Sequence, residues 1–253
     1  DIDLTKMSFA NMAEALTKEK ADNPVSGPVV QGELTGKELK IVMISDTHNN
    51  HRKVVIPDGD ILIHAGDFTR FGKEEDAIDF NEWLGTLPHR HKLVVNGNHE
   101  SNARWQPDVK SIITNASFLC QESITLETPN KSTCKVFGTQ FFWSMTSPNP
   151  HYAEIPSDVD ILVAHNPAQG FVDNSLGCAS LANIIQNVRP KLVVSGHIHL
   201  AHGVTQAFDT GIIYVNAANA NKGEVTYLHH DYDHHIIIII TMIKIIINII
   251  IVI

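Results

Sequence analysis

Cysteine is scarce. The 253-residue chain holds three, Cys120, Cys134 and Cys178, widely spaced and without a Cys-x-x-Cys pair, which argues against a disulfide framework or zinc ribbon and fits a reducing compartment. No run rich in Lys and Arg occurs, and the formal net charge is -9. A protein that grips nucleic acid through an extended basic surface is therefore not expected. Residues 1–40 mix acids, lysines and small residues and lack the apolar core of a signal peptide, so for the sequence as it stands, beginning at Asp1 and not at Met, the expected location is cytoplasmic. No internal repeat is visible. The length suits one well-buried domain, expected over 39–230, between a polar extension (1–38) and a low-complexity tail (231–253).

Histidine, by contrast, is abundant, at fifteen residues. Their placement follows from the strand pattern. Short apolar runs at 39–44, 60–64, 92–95, 160–164 and 191–194 read as strands. Unbroken stretches such as Ile161-Leu162-Val163-Ala164 suit strands covered on both faces. Between them, 73–87 sets Ala77, Phe80, Leu84 and Leu87 on one helical side, with Gly85 and Pro88 as stop signals, and Leu181, Ile184, Ile185 and Val188 form a second stripe ended by Pro190. Runs at 123–128, 135–141, 211–215 and 224–228 suggest a second sheet facing the first.

Each of the five strands runs into metal-competent residues: Asp46 and His48, Asp67, Asn98 and His99, His165, and His197 and His199. In open α/β sheets the carboxyl ends of strands are where ligand-binding loops converge. Asp46 with His48, and His197 with His199, are two apart, so in extended backbone each pair would point one way. Imidazole, carboxylate and amide oxygen suit Mn, Fe, Zn or Ni better than calcium. Seven ligands are too many for one such ion, whereas two ions sharing a carboxylate, about 3.5–4 Å apart, would use them all. Two divalent cations against two carboxylates leave a positive site that attracts phosphate despite the acidic chain. The expected chemistry is attack on a phosphorus by a metal-bound hydroxide, with His99 protonating the leaving oxygen or steadying the transition state.

In order, Asp46-Thr47-His48, Gly66-Asp67, Gly97-Asn98-His99-Glu100, His165 and Gly196-His197-Ile198-His199 resemble the signature of the calcineurin-like metallophosphoesterases. Segments at 81–88, 156–163 and 214–217 look like the metallophosphoesterase-domain-containing subgroup, and the similarity covers roughly 39–230. The resemblance implies an α/β fold, a four-layer αββα sandwich of two mixed sheets flanked by helices. It implies Asp46, His48, Asp67 and His199 on one metal and Asp67, Asn98, His165 and His197 on the other, with Asp67 bridging. It also implies phosphodiesterase activity on nucleotide-like or other small substrates, cyclic nucleotides included, with Asn98 and His99 contacting substrate and Mn as the expected metal. Phosphomonoesterase activity, or a metal-stabilised scaffold without turnover, stay open as alternatives.

One position departs from the family. Its protein phosphatases carry an acid three residues after the bridging Asp to orient the catalytic His, and here that residue is Arg70. A protein phosphatase role fits less well, and the orienter of His99 is left open. Arg70 is instead a candidate phosphate contact, beside the plainer reading of a solvated arginine. His51, His64, His89, His91, His151 and His202 are expected to be ordinary core or surface residues, and Cys178 a structural thiol. Trp83 and Trp105 read as core, while Trp143 is the best aromatic for a substrate-pocket wall.

The chain ends in a His-rich stretch and an isoleucine tract broken by Thr241, Lys244 and Asn248. It reads as a non-functional extension, with a tail anchor as the second reading. The partners expected are a small phosphate ester and, unless that tail is an anchor, no membrane; oligomeric state is left open.

Overall fold

The apolar runs become strands sealed on both faces. The computed structural model describes residues 39–127, 132–221, 224–225 and 247–251, all within one compact unit; the expected extension (1–38) and most of the expected tail lie outside them. Four strands, β1 (Leu39–Ile44), β2 (Ile61–His64), β3 (His91–Val94) and β4 (Ser117–Phe118), form a parallel sheet in that order. A second sheet comprises β5 (Glu122–Glu127), β6 (Thr133–Gly138), β7 (Ile161–Val163), β8 (Leu192–Ser195), β9 (Gly203–Gln206) and β10 (Ile213–Asn216). Its order is β5-β6-β7-β8-β10-β9, with antiparallel pairs at the two edges and parallel pairs between.

Period-two alternation sorts each strand's residues between two layers. Ile41 and Met43 of β1, Ile61 and Ile63 of β2, Val136 of β6, Ile161 and Val163 of β7 and Val194 of β8 meet in one core between the sheets. Their neighbours Val42, Ile44 and Leu62 face outward beneath α1 (Glu74–Thr86), whose Ala77, Phe80, Trp83 and Leu84 are buried there. Two short helices follow, α2 (Asn98–Ser101) and α3 (Val109–Ile112). On the other side Leu162 and Val193 pack with Leu181, Ile185 and Val188 of α4 (Ala179–Val188). The four αββα layers are those expected; of the two sheets, the second is the mixed one. Each fully buried Ile or Leu contributes about 1.5–3 kcal/mol, so this double-sided burial carries most of the fold's stability.

Several expectations are corrected. The runs at 160–164 and 191–194 belong to the second sheet, beside β6 and β10, because a parallel strand buried on both faces looks the same in either sheet. Glu224–Val225 (β12) pairs instead with Ala220–Asn221 (β11) in a separate hairpin. Gly85 does not stop α1, which continues to Thr86. Its missing side chain admits the Asn115 amide, 2.9 Å from where a Cβ would lie, and Leu87, extended before Pro88, ends the helix. Ile247–Ile251 (β13) extends the first sheet, parallel to β1, as suits β-branched residues. Among the described residues no helix is long and apolar enough to cross a membrane.

Candidate metal centre

The carboxyl ends of five strands meet at one edge of the sandwich. Asp46 and His48 follow β1, Asp67 follows β2, Asn98 and His99 open α2 after β3, His165 follows β7, and His197 and His199 follow β8. A parallel bridge between Ser45 and Ala218, with Asn219 donating to the Ser45 carbonyl at 2.9 Å, ties the two sheets together here. Asn216 at the end of β10 donates to the Ile198 carbonyl at 3.0 Å and so holds the loop between His197 and His199.

The route to convergence differs from the one expected. Asp46 (φ 57°), His48 (φ 42°), Asp67 (φ 55°) and His197 (φ 66°) are left-handed, not extended. Non-glycine residues rarely adopt this region, and when they do they concentrate at functional sites. Bonds between loops accompany these turns. His197 donates its backbone N–H to Asp46 Oδ2 at 2.9 Å, and His99 donates its own to Asp67 Oδ1 at 2.9 Å. Each carboxylate thereby uses one oxygen to tie two loops together and leaves the other facing the imidazoles.

The free oxygens and the ring nitrogens crowd one space. Asp46 Oδ1 lies 3.1 Å from His199 Nε2 and 3.9 Å from His48 Nε2, and those two nitrogens are 3.4 Å apart. Asp67 Oδ2 lies 3.2 Å from His165 Nε2. Asn98 Oδ1 is 2.8 Å from His197 Nδ1 and 3.2 Å from His165 Nε2. Three clusters of mutually close donors result: Asp46, His48 and His199; Asp67, His165 and His197; and, between them, His48, Asp67 and His99. Donors each about 2.1 Å from one tetrahedral ion stand roughly 3.4 Å apart, within the 2.8–3.9 Å range found here. Backbone carbonyls complete the arrangement. His165 Nδ1 donates to the Ala65 carbonyl at 2.7 Å and His48 Nδ1 to the Thr69 carbonyl at 3.2 Å, which turns each Nε2 lone pair inward. The residues fit a divalent-metal centre.

Electrostatics agree. Burial alone would raise the carboxyls of Asp46 and Asp67, but the adjacent His165 holds both below the ordinary carboxylate range, with His199 adding a bond to Asp46. Burial likewise opposes protonation of His165, yet Asp67 and Asp46 raise it to about 9. His197 is pushed down to about 4 by burial and by His165. Two buried carboxylates thus draw positive charge to a place built of ligand atoms.

Sequence reading missed Glu100. It is fully buried and accepts four bonds: Oε2 from the backbone N–H of Asp67 at 2.9 Å and Gly97 at 2.8 Å, Oε1 from the Thr69 N–H at 2.9 Å and hydroxyl at 2.7 Å. Burial and the Asp67 charge push its carboxyl up to about 7, against the pull of those donors. Four donors leave the two oxygens acceptors only, so the ionised form is the one the geometry suits. Its position directly after His99 was the available signal.

His99 belongs to the middle of the three clusters, Nε2 3.7 Å from Asp67 Oδ2, with Nδ1 bonded to the Arg70 carbonyl. The Arg70 guanidinium stands over Phe71, 5.4 Å from the ring centroid, and does not enter the cluster. Trp143 is 63% exposed and its ring lies 5.9 Å from that of His197. Trp83 and Trp105 are core residues. His64 is buried between Thr47 Oγ1 and the Gly66 N–H, and His51 pairs with Asp79 at 2.9 Å. His89 bonds the Pro57 carbonyl, while His151 and His202 are exposed and His91 is half-buried. None of these six belongs to the donor clusters found among the described residues.

Comparison with known proteins identifies the family. The sequence profile of the calcineurin-like phosphoesterase family matches residues 39–201. A UPF0046 protein of Caenorhabditis elegans is 34% identical over 218 residues, covering 73% of this chain and 71% of that protein. Metallophosphoesterase domain-containing protein 1 of Homo sapiens is 33% identical over 220 residues, covering 71% of this chain and 65% of that protein, so the chain spans just under two thirds of the human protein's length. The crystal structure of TT1561 of Thermus thermophilus superposes with a TM-score of 0.52 at 13% identity, over 70% of this chain and 88% of that one, a likeness of fold. The chain is a member of the calcineurin-like phosphoesterase family, metal-dependent phosphoric ester hydrolases, and is related to its metallophosphoesterase-domain-containing branch.

Proposed function

We propose that the chain hydrolyses phosphodiesters, nucleotide-like or other small ones, at this site. Asp46, His48, Asp67 and His199 would hold one divalent ion and Asp67, Asn98, His165 and His197 the other, with Mn the favoured metal. When bound, such ions supply Lewis acidity and lower the pKa of coordinated water. The chain's own groups do the rest. His99, with Nδ1 engaged by the Arg70 carbonyl, keeps Nε2 to carry a proton to the leaving oxygen. Asn98 offers its amide oxygen to the donor cluster and its NH2 to a phosphoryl oxygen. Trp143 walls the substrate side.

The observation that carries the diester reading is charge. Among the described residues, the ion pairs of Asp46 and Asp67 are all with histidines, and Arg70 leans on Phe71. Two divalent ions less two carboxylates match a monoanionic diester, whereas a dianionic monoester favours an additional Arg or Lys. Arg70 would contact substrate only after leaving Phe71. Mn-loaded protein assayed on bis-p-nitrophenyl phosphate and p-nitrophenyl phosphate tests this. The diester should be hydrolysed faster. Preference for the monoester would overturn the proposal, and inactivity on both under several metals would favour a scaffold.

A further inference from the structure

Among the described residues His99 has no carboxylate partner for its Nδ1, and the turn that supplies a carbonyl instead is clamped from several sides. The Thr69 hydroxyl donates to Glu100 Oε1 at 2.7 Å and accepts the Gly72 N–H at 3.1 Å. Its own N–H donates to Glu100 Oε1 at 2.9 Å. Outside the turn, Arg70 N–H donates to Asn49 Oδ1 at 3.0 Å, and Trp105 Nε1 donates to the Gly72 carbonyl at 2.8 Å. Thr69 and Glu100 are fully buried. Gly72 is left-handed (φ 64°), and a Cβ there would lie 2.5 Å from the His99 carbonyl oxygen, so the turn is packed against the residue it orients.

We propose that Thr69 is a positioning residue for His99: its hydroxyl locks the 69–72 turn so that the Arg70 carbonyl accepts from Nδ1, in place of an acidic orienter. A carbonyl only accepts, so this bond keeps a proton on Nδ1: the neutral ring is its Nδ1–H tautomer with the Nε2 lone pair facing the site, and Nε2 donates to the leaving oxygen only from the imidazolium, which returns to that tautomer. A carbonyl held in a rigid turn can orient an imidazole as a carboxylate would, without adding negative charge beside Asp67. The consequence for catalysis rests on the reading of His99 as the leaving-group acid.

The test compares wild type with Thr69→Val, which keeps shape and removes the hydroxyl, Thr69→Ser, which keeps the hydroxyl, and Asn49→Gly. Asn49 is exposed and left-handed (φ 65°), so glycine is tolerated there while the outer clamp on Arg70 is lost. The first readout is the His99 tautomer in the metal-free protein, from 15N–1H correlations of the ring nitrogens at pH 8. Wild type and Thr69→Ser should show Nδ1–H, and Thr69→Val and Asn49→Gly a mixture with Nε2–H. With Mn and bis-p-nitrophenyl phosphate, Thr69→Val should lose roughly tenfold to a hundredfold in kcat, part of what a positioned acid supplies, at little changed KM. Thr69→Ser should restore kcat to within about threefold, since the hydroxyl is the required group. If Thr69→Val does not fold, Thr69→Ala, which also removes the hydroxyl, takes its place. An Nε2–H wild type, or the wild-type tautomer retained without the Thr69 hydroxyl, overturns the proposal. Wild type without diesterase activity would overturn the functional reading alone, because the tautomer comparison needs no turnover.

Discussion

His197 donates its backbone N–H to Oδ2 of Asp46 at 2.9 Å, across 151 residues of sequence. The bond joins the end of β8 in one sheet to the end of β1 in the other, and it leaves Asp46 Oδ1 to face His199 and His48. Asp67 makes the matching bond to the His99 N–H. The two oxygens of each carboxylate thus divide the work: one ties distant loops together and the other faces the candidate metal site.

Gly196 lies directly before this contact. A Cβ there would collide with Ser45 Oγ and Asp46 Oδ2. Gly196→Ala should displace Asp46, lower bound metal, and reduce kcat/KM by roughly a hundredfold or more, while overpacking costs about 1–3 kcal/mol of stability. Metal content and denaturant melts on one preparation check both halves. An alanine variant with normal metal loading would show that the backbone can yield.

Glu100→Gln places an NH2 among four donors. At least one buried N–H or hydroxyl loses its acceptor, at about 1–3 kcal/mol each. Stability should fall by that order, and metal affinity with it, because the N–H of Asp67 is one of the four. Urea melts of the metal-free variant isolate the first effect. A neutral outcome would mean that Glu100 is protonated in the native chain.

Burial pushes His64 down to about 3 from an ordinary 6.5. The unfolded chain therefore binds a proton there that the folded chain refuses, and stability should fall as pH drops from 6.5 toward 3, by up to about 1.4 kcal/mol per pH unit. His51, His89 and His91 are lowered too and act in the same direction. His64→Gln should shallow the slope without abolishing it, as read from urea melts of metal-free protein at several pH values. An unchanged slope would place the acid sensitivity elsewhere.

Trp143 projects into solvent near His197. Trp143→Ala should change stability by less than about 0.5 kcal/mol, as exposed substitutions usually do. It should raise KM for an aromatic diester several-fold at similar kcat. Unchanged KM would remove Trp143 from the pocket wall.

Much of this was legible because a parallel α/β sheet writes itself as apolar runs, and Asp46, Asp67, Asn98, His165 and His197 each follow one. What was hidden is instructive in kind. Nothing in Ile161-Leu162-Val163 says which sheet it joins, since both sheets bury strands on two faces. The spacing of Asp46 and His48 rightly anticipated convergence but for the wrong backbone, because left-handed φ depends on bonds from distant loops. Thr69 and the Arg70 carbonyl left no trace, as a backbone acceptor has no residue type. Glu100 was in view, yet its role depends on four donors brought together only by folding.

The proposed function turns on Asp67, which would be shared by two ions at one catalytic site. Metal content per chain and turnover of bis-p-nitrophenyl phosphate, measured together on wild type and Asp67→Ala, decide the matter. Two divalent ions are expected in the wild type, at most one in the variant, and turnover abolished with the loss. Full activity and undiminished metal in Asp67→Ala would contradict it.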